Sequence, residues 1–535
     1  MNHYSTNIQN ITHAVIEKIG DPVSPMVVLA TIESMGVRDK DVFLDFGFVS
    51  LRDLSVFVFE DLKERELISL KNGNEQKKKG AERENIPVSD YLWIKAKLFV
   101  QYYPLGIFHL LPVFLQVAAI ILFGYSLWTF IGFNIVQSTS VVFGVILGLI
   151  LSGGFVQVLG RQASFYWHHQ EYGKCKIIID KVIQIGLLGI LVSFGLIAMV
   201  NFLFHFYPST FILITFVYAF LIGALLLYTA PFHTLKKRWA ISLAVFFATA
   251  VALLLNFYTE IHIYFTHWIG IGIAILVSKI LLNSYFKKYK KGTNQKDIVL
   301  NKYMVIYKNY RYFLYGALVY IFVFIDRILA WSADAQLTHQ FLFLYEKNYE
   351  IGMDLAILVF FMLAGVLEYA IASFSRFLDL YQKSTSFLIK QELSKKLYKM
   401  YWNHIGLFLI TAFFTAVLIF LIITQPWGYR ANFGVTLDVL SIKVCFIGGL
   451  GYLFFTWGML NALYLYTLDR PRVVLKALFI SCAVNFAIGF VCSRMVGYEY
   501  SVVGMLIGSI TFMVLTLKAI RTFLKNLDYH YYAAY

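Results

Sequence analysis

Long apolar runs dominate the sequence of this chain. A helix needs about 20 apolar residues to cross the hydrocarbon core of a bilayer, and about twelve runs reach that length. They cover residues 107–128, 134–158, 179–204, 210–230, 238–257, 265–284, 311–331, 352–374, 404–424, 440–466, 474–493 and 501–518. The pattern predicts an all-α polytopic membrane protein with about twelve transmembrane helices in two six-helix bundles.

Composition agrees with this class, because 59% of the residues are apolar, 14% are charged and the mean hydropathy is +0.67. The net charge of +15 raises the possibility of nucleic-acid binding. The Lys and Arg residues, however, lie in short loops between apolar runs rather than on a soluble basic domain. We therefore expect a lipid bilayer around the protein and no nucleic-acid partner.

The loop charges predict the orientation. Alternate loops carry most of the Lys and Arg residues, and such loops face the cytoplasm. Only four basic residues fall on the other side: Arg327, Lys347, Arg430 and Arg494. The first 100 or so residues are mixed and polar, without the short apolar core of a secretory signal. We expect a multi-pass protein of the bacterial inner membrane with both termini in the cytoplasm.

The pattern divides the chain into four parts. Residues 1–104 are predicted to form a cytosolic helical domain, a linker around Lys71–Asn85 and an interfacial helix at 91–104. Residues 105–284 form the first transmembrane bundle. A basic cytosolic connector at 285–310 leads to the second bundle and tail at 311–535.

Ionisable residues inside the apolar runs are the strongest candidates for function. Burying a charge at the centre of a bilayer costs at least about 2.5 kcal/mol, so such residues line water or pair with one another. Asp326 and Arg327 lie in the seventh run and Glu368 lies deep in the eighth. These residues predict a polar substrate path in the second half. An internal salt bridge that serves only assembly remains the alternative.

Four weaker candidates follow the same logic: Gln116, Gln157, Arg161 and Lys279. Each could face a cavity between helices, although Arg161 and Lys279 could instead extend to the interface as long basic side chains do. The aromatic fraction of 18% suits a sugar path, because sugar CH faces pack on rings. Interfacial aromatic belts explain this fraction equally well.

Motifs of soluble enzymes are absent from the sequence. It contains no HExxH, GxSxG or GxxxxGK[ST] pattern, and its four cysteines show no metal-ligand spacing. We therefore predict no catalytic residue, no metal site and no cofactor.

Several segments taken together resemble a known family. They are Ile325-Asp326-Arg327-Ile328-Leu329-Ala330-Trp331, the Glu368 helix with the amphipathic segment after it, Leu527-Asp528-Tyr529-His530, Gly153-Gly154-Phe155 and Gly160-Arg161-Gln162. This pattern resembles the inner-membrane transporter of the Pel exopolysaccharide system, within the multidrug, oligosaccharidyl-lipid and polysaccharide exporter superfamily. The resemblance covers roughly residues 105–530, and the N-terminal 100 or so residues depart from it.

The resemblance implies passage of a glycan across the membrane through a cavity between two helix bundles, without enzymatic activity. It also implies partners: other membrane subunits and a cytosolic glycosyltransferase, for which the N-terminal domain would be a docking module. By the family's logic, Asp326 and Glu368 would suit a partly deacetylated, cationic amino-sugar polymer.

Three other functions remain open from the residues. A flippase for lipid-linked oligosaccharides needs cations for the pyrophosphate, for which only Arg161, Lys279 and Arg327 are available. A membrane glycan polymerase or acyltransferase needs catalytic residues, but the external segment 332–351 is short, and His109 is the candidate for the buried histidine of an acyltransferase. A scaffold that anchors a glycosyltransferase through residues 1–100 would not need Asp326 or Glu368.

Overall fold

The structure is a computed structural model that describes residues 2–19, 22, 24–73, 88–108, 111–289, 302–333, 341–384, 390–425, 436–468 and 470–525. The connector core 290–301, most of the linker, His109, Arg430 and the segment 527–530 lie outside these residues. Within the described part, the regular structure is helical apart from one isolated bridge between Tyr125 and Phe130.

The helices follow one another in this order: α1 Asn2–Ile19, α2 Pro25–Ser34, α3 Asp39–Phe46, α4 Leu51–Gly73, α5 Val88–Phe108, α6 Leu111–Phe123, α7 Ile135–His168, α8 Tyr172–Phe204, α9 Ser209–Thr234, α10 Trp239–Tyr258, α11 Ile263–Lys287, α12 Lys302–Trp331, α13 Lys347–Ser384, α14 Lys390–Thr424, α15 Val439–Thr467, α16 Pro471–Met495 and α17 Ser501–Lys525.

The N-terminal helical region predicted from the sequence is present as α1 to α4. Its small core includes Val15, Ile32 and Leu54. Local signals set the helix boundaries: the Ser24 side chain accepts a hydrogen bond from the Val27 amide at the start of α2, and Gly47 ends α3 in the left-handed conformation at a φ of 76°. A serine cap and a glycine stop are the residues that favour these positions.

Eleven described helices are long and apolar enough to cross a membrane, and a bent pair brings the number to twelve. This agrees with the predicted number of spans. The helices bury only part of their apolar surface, and α8 exposes Leu188, Leu196 and Phe202 to its surroundings. Such all-round apolar helices require lipid contact.

The first span differs from the predicted straight run at 107–128. It consists of the segments Ala96–Gly106 and Leu111–Ile120, which are bent by 50° relative to each other. Prolines explain the break, because Pro112 has no amide proton and its ring clashes with the carbonyl four residues earlier. The apolar crossing therefore begins within the segment predicted as an interfacial helix.

The spans form the two predicted bundles. In the first bundle, α7 packs against α8 and α9, while α11 packs against α9 and α10, and α6 lies on α10. In the second, α13 packs against α14 and α15, and α17 packs against α15 and α16. The bundles meet where α7 contacts α12 and where α5 contacts α13, so the broken span has one half on each bundle.

Candidate functional site at the bundle interface

Two ends of the bundles are distinguished by charge. We call the end where α7 turns into α8 and α9 turns into α10 the basic end, because Arg161, Lys174, Lys236 and Arg238 lie there. We call the other end, where α8 turns into α9 and the chain leaves α12, the opposite end.

Glycines let the two bundles touch at mid-height. A Cβ atom added to Gly153 on α7 would lie 2.8 Å from the Gly316 carbonyl oxygen on α12 and 2.5 Å from the Tyr320 ring. A Cβ on Gly154 would lie 2.8 Å from the Phe313 carbonyl oxygen. Only glycine fits such distances, which is the usual reason for small residues at membrane helix crossings.

Three polar residues of α7 lie beside this glycine crossing, toward the basic end. Arg161 donates a hydrogen bond to the Tyr312 hydroxyl, and its guanidinium lies 4.0 Å from the centre of that ring. The Gln162 amide donates to the Asn309 side chain at 3.0 Å. Gln157 is exposed and borders Gly316. The structure thus places the predicted residues Gln157 and Arg161 at the bundle interface.

Glu368 on α13 lies at the basic end and joins both bundles. Its carboxylate accepts a hydrogen bond from Arg238, in the turn between α9 and α10, at 2.8 Å. Arg238 also donates to the Leu105 carbonyl at 3.2 Å. One turn before Glu368, Gly365 contacts α5, where a Cβ on Gly106 would lie 2.6 Å from the Gly365 Cα.

Asp326 is fully buried in the second bundle. Its Oδ2 accepts a hydrogen bond from the Tyr349 hydroxyl at 2.7 Å, and the Ser501 hydroxyl donates to Tyr349 at 2.9 Å. Among the described residues, Asp326 Oδ1 has no hydrogen-bond partner. A buried oxygen without a partner is costly unless it serves a function or binds a proton.

Arg327 forms ion pairs with two carboxylates of α13. It bonds Glu350 and, at 3.2 Å, Asp354, while the Trp331 indole donates to Glu350 at 2.9 Å. Arg327 and Glu350 are almost fully buried, whereas the Asp354 side chain is 68% exposed. The Arg327 ion pairs thus join α12 to α13, as expected for a salt bridge that serves assembly. One of them also fixes the exposed carboxylate of Asp354 within a membrane span.

The carboxylate of Asp354 is exposed on α13. Phe361 lies two turns further on the same face of α13, and its ring packs against Phe114 of α6 at 6.1 Å. Charged side chains within spans face the bundle interior or water. We therefore assign Asp354 to the space between α13 and α6.

At the opposite end, the segment after α12 closes on the first bundle. The Tyr207 hydroxyl donates to the Phe343 carbonyl at 2.8 Å and accepts from the Phe343 amide at 3.0 Å. The Tyr345 amide donates to the Thr139 hydroxyl at 3.0 Å. Burial raises the pKa of Tyr207, so its phenol stays neutral and can both donate and accept. Both ends of the interface are therefore closed.

Two predicted path residues lie elsewhere. Gln116 is buried against the first bundle, where it donates to Thr249 and accepts from the Leu127 amide, each at 2.8 Å. Lys279 lies on an exposed face of α11 beside Leu276 and Ile280. These surroundings favour a packing role for Gln116 and extension of the Lys279 amine along lipid to the interface.

Replacing Gln116 by leucine is expected to lower stability by about 1–3 kcal/mol, because the buried Leu127 amide loses its acceptor. Thermal unfolding of the purified protein measures the loss. The matched change at Gln101, which is exposed on α5, should leave the unfolding temperature unchanged. Lost export per folded molecule in the Gln116 variant would instead return this residue to the substrate path.

Sequence reasoning missed Arg238, Glu350 and Asp354 as site residues. In the sequence, Arg238 is one of the basic loop residues that indicate orientation, and Asp354 serves only to mark the depth of Glu368 in the eighth run. The spacing of Glu350 and Asp354 was a usable signal, because residues four apart share one helix face. Among the residues described, no group of three or more His, Cys, Asp or Glu side chains could hold a metal ion.

Comparison with known protein families identifies the family to which this chain belongs. A family model described as PelG, putative exopolysaccharide exporter, matches residues 107–532 and so covers both bundles. The chain belongs to the PelG family. Members are exporters rather than enzymes, and this confirms the predicted resemblance and the prediction that the chain is not an enzyme. The match begins at residue 107, within the broken first span, and excludes the N-terminal helical region.

Solved structures show the same fold at low identity. MATE in the bent conformation has a TM-score of 0.54 and 13% identity, and the match covers 81% of this chain and 97% of that chain. The eukaryotic MATE transporter AtDTX14 has a TM-score of 0.52 at 12% identity, with 82% and 98% covered. A search of curated proteins found no match. The PelG family chain therefore has a MATE-like transporter fold.

Proposed function

We propose that the chain moves an exopolysaccharide across the bacterial inner membrane along the interface of the two bundles. The observation that carries the proposal is the exporter family match over residues 107–532, which contains every candidate path residue. Asp326, Arg327, Glu368, Gln157 and Arg161 lie on α7, α12 and α13, the helices that meet between the bundles or line their contact.

The proposed substrate is a Pel-like amino-sugar polymer. Carboxylates at Asp354 and Glu368 reach the interface, and rings such as Phe114, Phe361 and Tyr320 accompany them. Carboxylates accept hydrogen bonds from sugar hydroxyl and amino groups, while aromatic rings pack on sugar CH faces. This combination supports a glycan rather than an apolar drug.

The proposed orientation places the basic end and both termini in the cytoplasm, following the distribution of Lys and Arg. The helical region at 2–73 would then face cytosolic partners. We propose that it docks a cytosolic glycosyltransferase, while other membrane subunits contact the bundles. Binding of the polymer as it leaves the glycosyltransferase would couple synthesis to passage.

A flippase for lipid-linked oligosaccharides is less well supported. It needs free cations for a pyrophosphate, but Arg161 is stacked on Tyr312 and Arg327 is neutralised by Glu350 and Asp354. Lys279 lies on an exposed face of α11. None of the three offers the open cationic pocket that this substrate requires.

Deleting the gene is expected to abolish secreted polysaccharide, and the wild-type copy should restore it. Copies with Asp326→Asn or Glu368→Gln are expected to restore no more than about a tenth, because an intramembrane carboxylate is lost while shape and insertion are kept. Secreted and cell-associated polymer are quantified together with the amount of protein in membranes.

The matched control is Asp180→Asn, which removes a carboxylate that pairs with Lys176 on the surface of α8. Secretion should be unchanged there. Normal secretion in the deletion strain would contradict the polysaccharide substrate. Normal secretion from both the Asp326 and Glu368 variants would remove these residues from the path.

A further inference from the structure

The contacts at the two ends of the interface differ in chemistry. At the opposite end, Tyr207 and Phe343 are buried and exchange two neutral hydrogen bonds. At the basic end, α7 and α12 are joined by the Arg161–Tyr312 and Gln162–Asn309 hydrogen bonds. The contact between the α9–α10 turn and α13 is an ion pair whose side chains, Arg238 and Glu368, are 18% and 35% exposed. Water can replace a partly exposed ion pair at low cost, so the basic end is the easier one to open.

Arg238 holds three elements at one point. It belongs to the first bundle, pairs with Glu368 of the second and donates to the Leu105 carbonyl of α5. Leu105 lies in the last turn of α5, which ends at Phe108. The last carbonyls of a helix lack internal partners and carry partial negative charge. Arg238 therefore bridges two negative groups that belong to the other side of the interface.

The crossing at Gly153 and Gly316 lies between the two closed ends. The backbones are in contact there, so the bundles cannot approach further at mid-height. Rotation about this crossing separates one end while it keeps the other together. Opening of the basic end requires that Arg238 release Glu368, Leu105 or both.

We propose that Arg238 and Glu368 form the gate of the basic end, and that their ion pair opens and closes once in each transport cycle. The inference rests on transport between the bundles as proposed above. It gives Glu368 a role as the gate partner of Arg238. It also gives Arg238 a role in holding the closed end together through Glu368 and the Leu105 carbonyl.

The first measurement is access to the interface. Gln157 is exposed on α7, about 16 Å before the end of that helix at His168, and lies on the basic side of the glycine crossing. A Gln157→Cys reporter is introduced after the four native cysteines are replaced by alanine. Maleimide labelling of the purified full chain then reports how often the basic end is open.

Arg238→Gln and Glu368→Gln are each expected to raise the labelling rate about tenfold and to lower export about tenfold, because the closed state loses its ion pair. Lys237→Gln is the matched control. It removes one positive charge from the next residue, which is exposed, and should change neither quantity.

Exchange of the two charges separates a gate from a substrate ligand. The double variant Arg238→Glu with Glu368→Arg rebuilds the ion pair in reverse and is expected to recover slow labelling and part of the export. Loss of export in the Glu368 variant without faster labelling would overturn the proposal, as would a double variant that labels as fast as the single ones. Labelling needs no substrate, so it tests the gate even where polysaccharide export is disproved.

Discussion

Arg327→Met is expected to remove most of the folded protein from the membrane. The side chain is buried and neutralises Glu350, whose own side chain is 2% exposed. Removing one partner of a buried ion pair leaves an uncompensated charge, at a cost of about 3–5 kcal/mol. That is a large part of the stability of a typical protein, about 5–15 kcal/mol. The amount of protein in the membrane fraction and its elution as a single species measure the loss.

A second substitution tests the cause. Adding Glu350→Gln removes the stranded charge, and its amide oxygen can still accept the Trp331 indole hydrogen bond, so the double variant is expected to recover most of the folded protein. Arg472→Met, on an exposed position of α16, is the control and should have no effect. A single variant that is as abundant as wild type would contradict the neutralising role of Arg327.

The double variant also separates the two interpretations of the Asp326 and Arg327 pair. If it folds and exports normally, the Arg327 ion pairs serve assembly alone. If it folds but does not export, the exposed carboxylate of Asp354, which Arg327 positions at 3.2 Å, belongs to the path. Membrane content and secreted polymer must therefore be measured on the same cells.

The spans could be predicted from the sequence because each depends on local composition alone. A run such as 404–424 is uncharged and apolar apart from His404 and three threonines, and it lies within α14, so its length decides the assignment. The first span could not be placed in this way. Apolar residues continue from the segment before Pro104 to the one after Pro112, and hydropathy does not show where the helix bends.

The carboxylates in the spans could be found from the cost of burial, but their partners could not. Glu368 pairs with Arg238, which lies 130 residues away, and such pairs depend on which helices become neighbours. The salt bridge predicted as the alternative could join Arg327 to its chain neighbour Asp326 or cross to another helix, and in the structure it crosses to the next helix. Adjacent residues of a helix point about 100° apart, so partners on α13 were the physically better choice.

The glycine motif on α7 supported the family resemblance, but the sequence did not indicate why these positions need glycine. Gly153 and Gly154 supported the resemblance to the family, but nothing in the sequence indicated that they face α12. Gly160 belongs to the same motif, yet a Cβ there would meet nothing within 4 Å. The structure thus shows that close helix contact requires glycine at Gly153 but not at Gly160. Substitutions can test this difference.

Gly316→Leu is expected to abolish export while most of the protein still inserts. A Cβ at this position would lie 2.9 Å from the Gly153 carbonyl carbon and 2.5 Å from Gln157 Cγ, so the branched side chain must push α7 and α12 apart. Adding atoms to a well-packed contact costs about 1–3 kcal/mol, and here the atoms opposed are backbone that cannot rotate away. The spans themselves keep their apolar surface and their positive loops, so insertion is preserved.

Gly160→Leu is the matched control on α7, because the space around this residue is open, and it should retain export. Secreted polymer per molecule of inserted protein is the quantity to compare, with Gly316→Ala as an intermediate step. Export is expected to fall in the order of side-chain volume at Gly316 and to stay level at Gly160. A Gly316→Leu variant that exports normally would mean that the bundles do not pivot at this crossing, since a widened contact could not hold one end closed while the other opens.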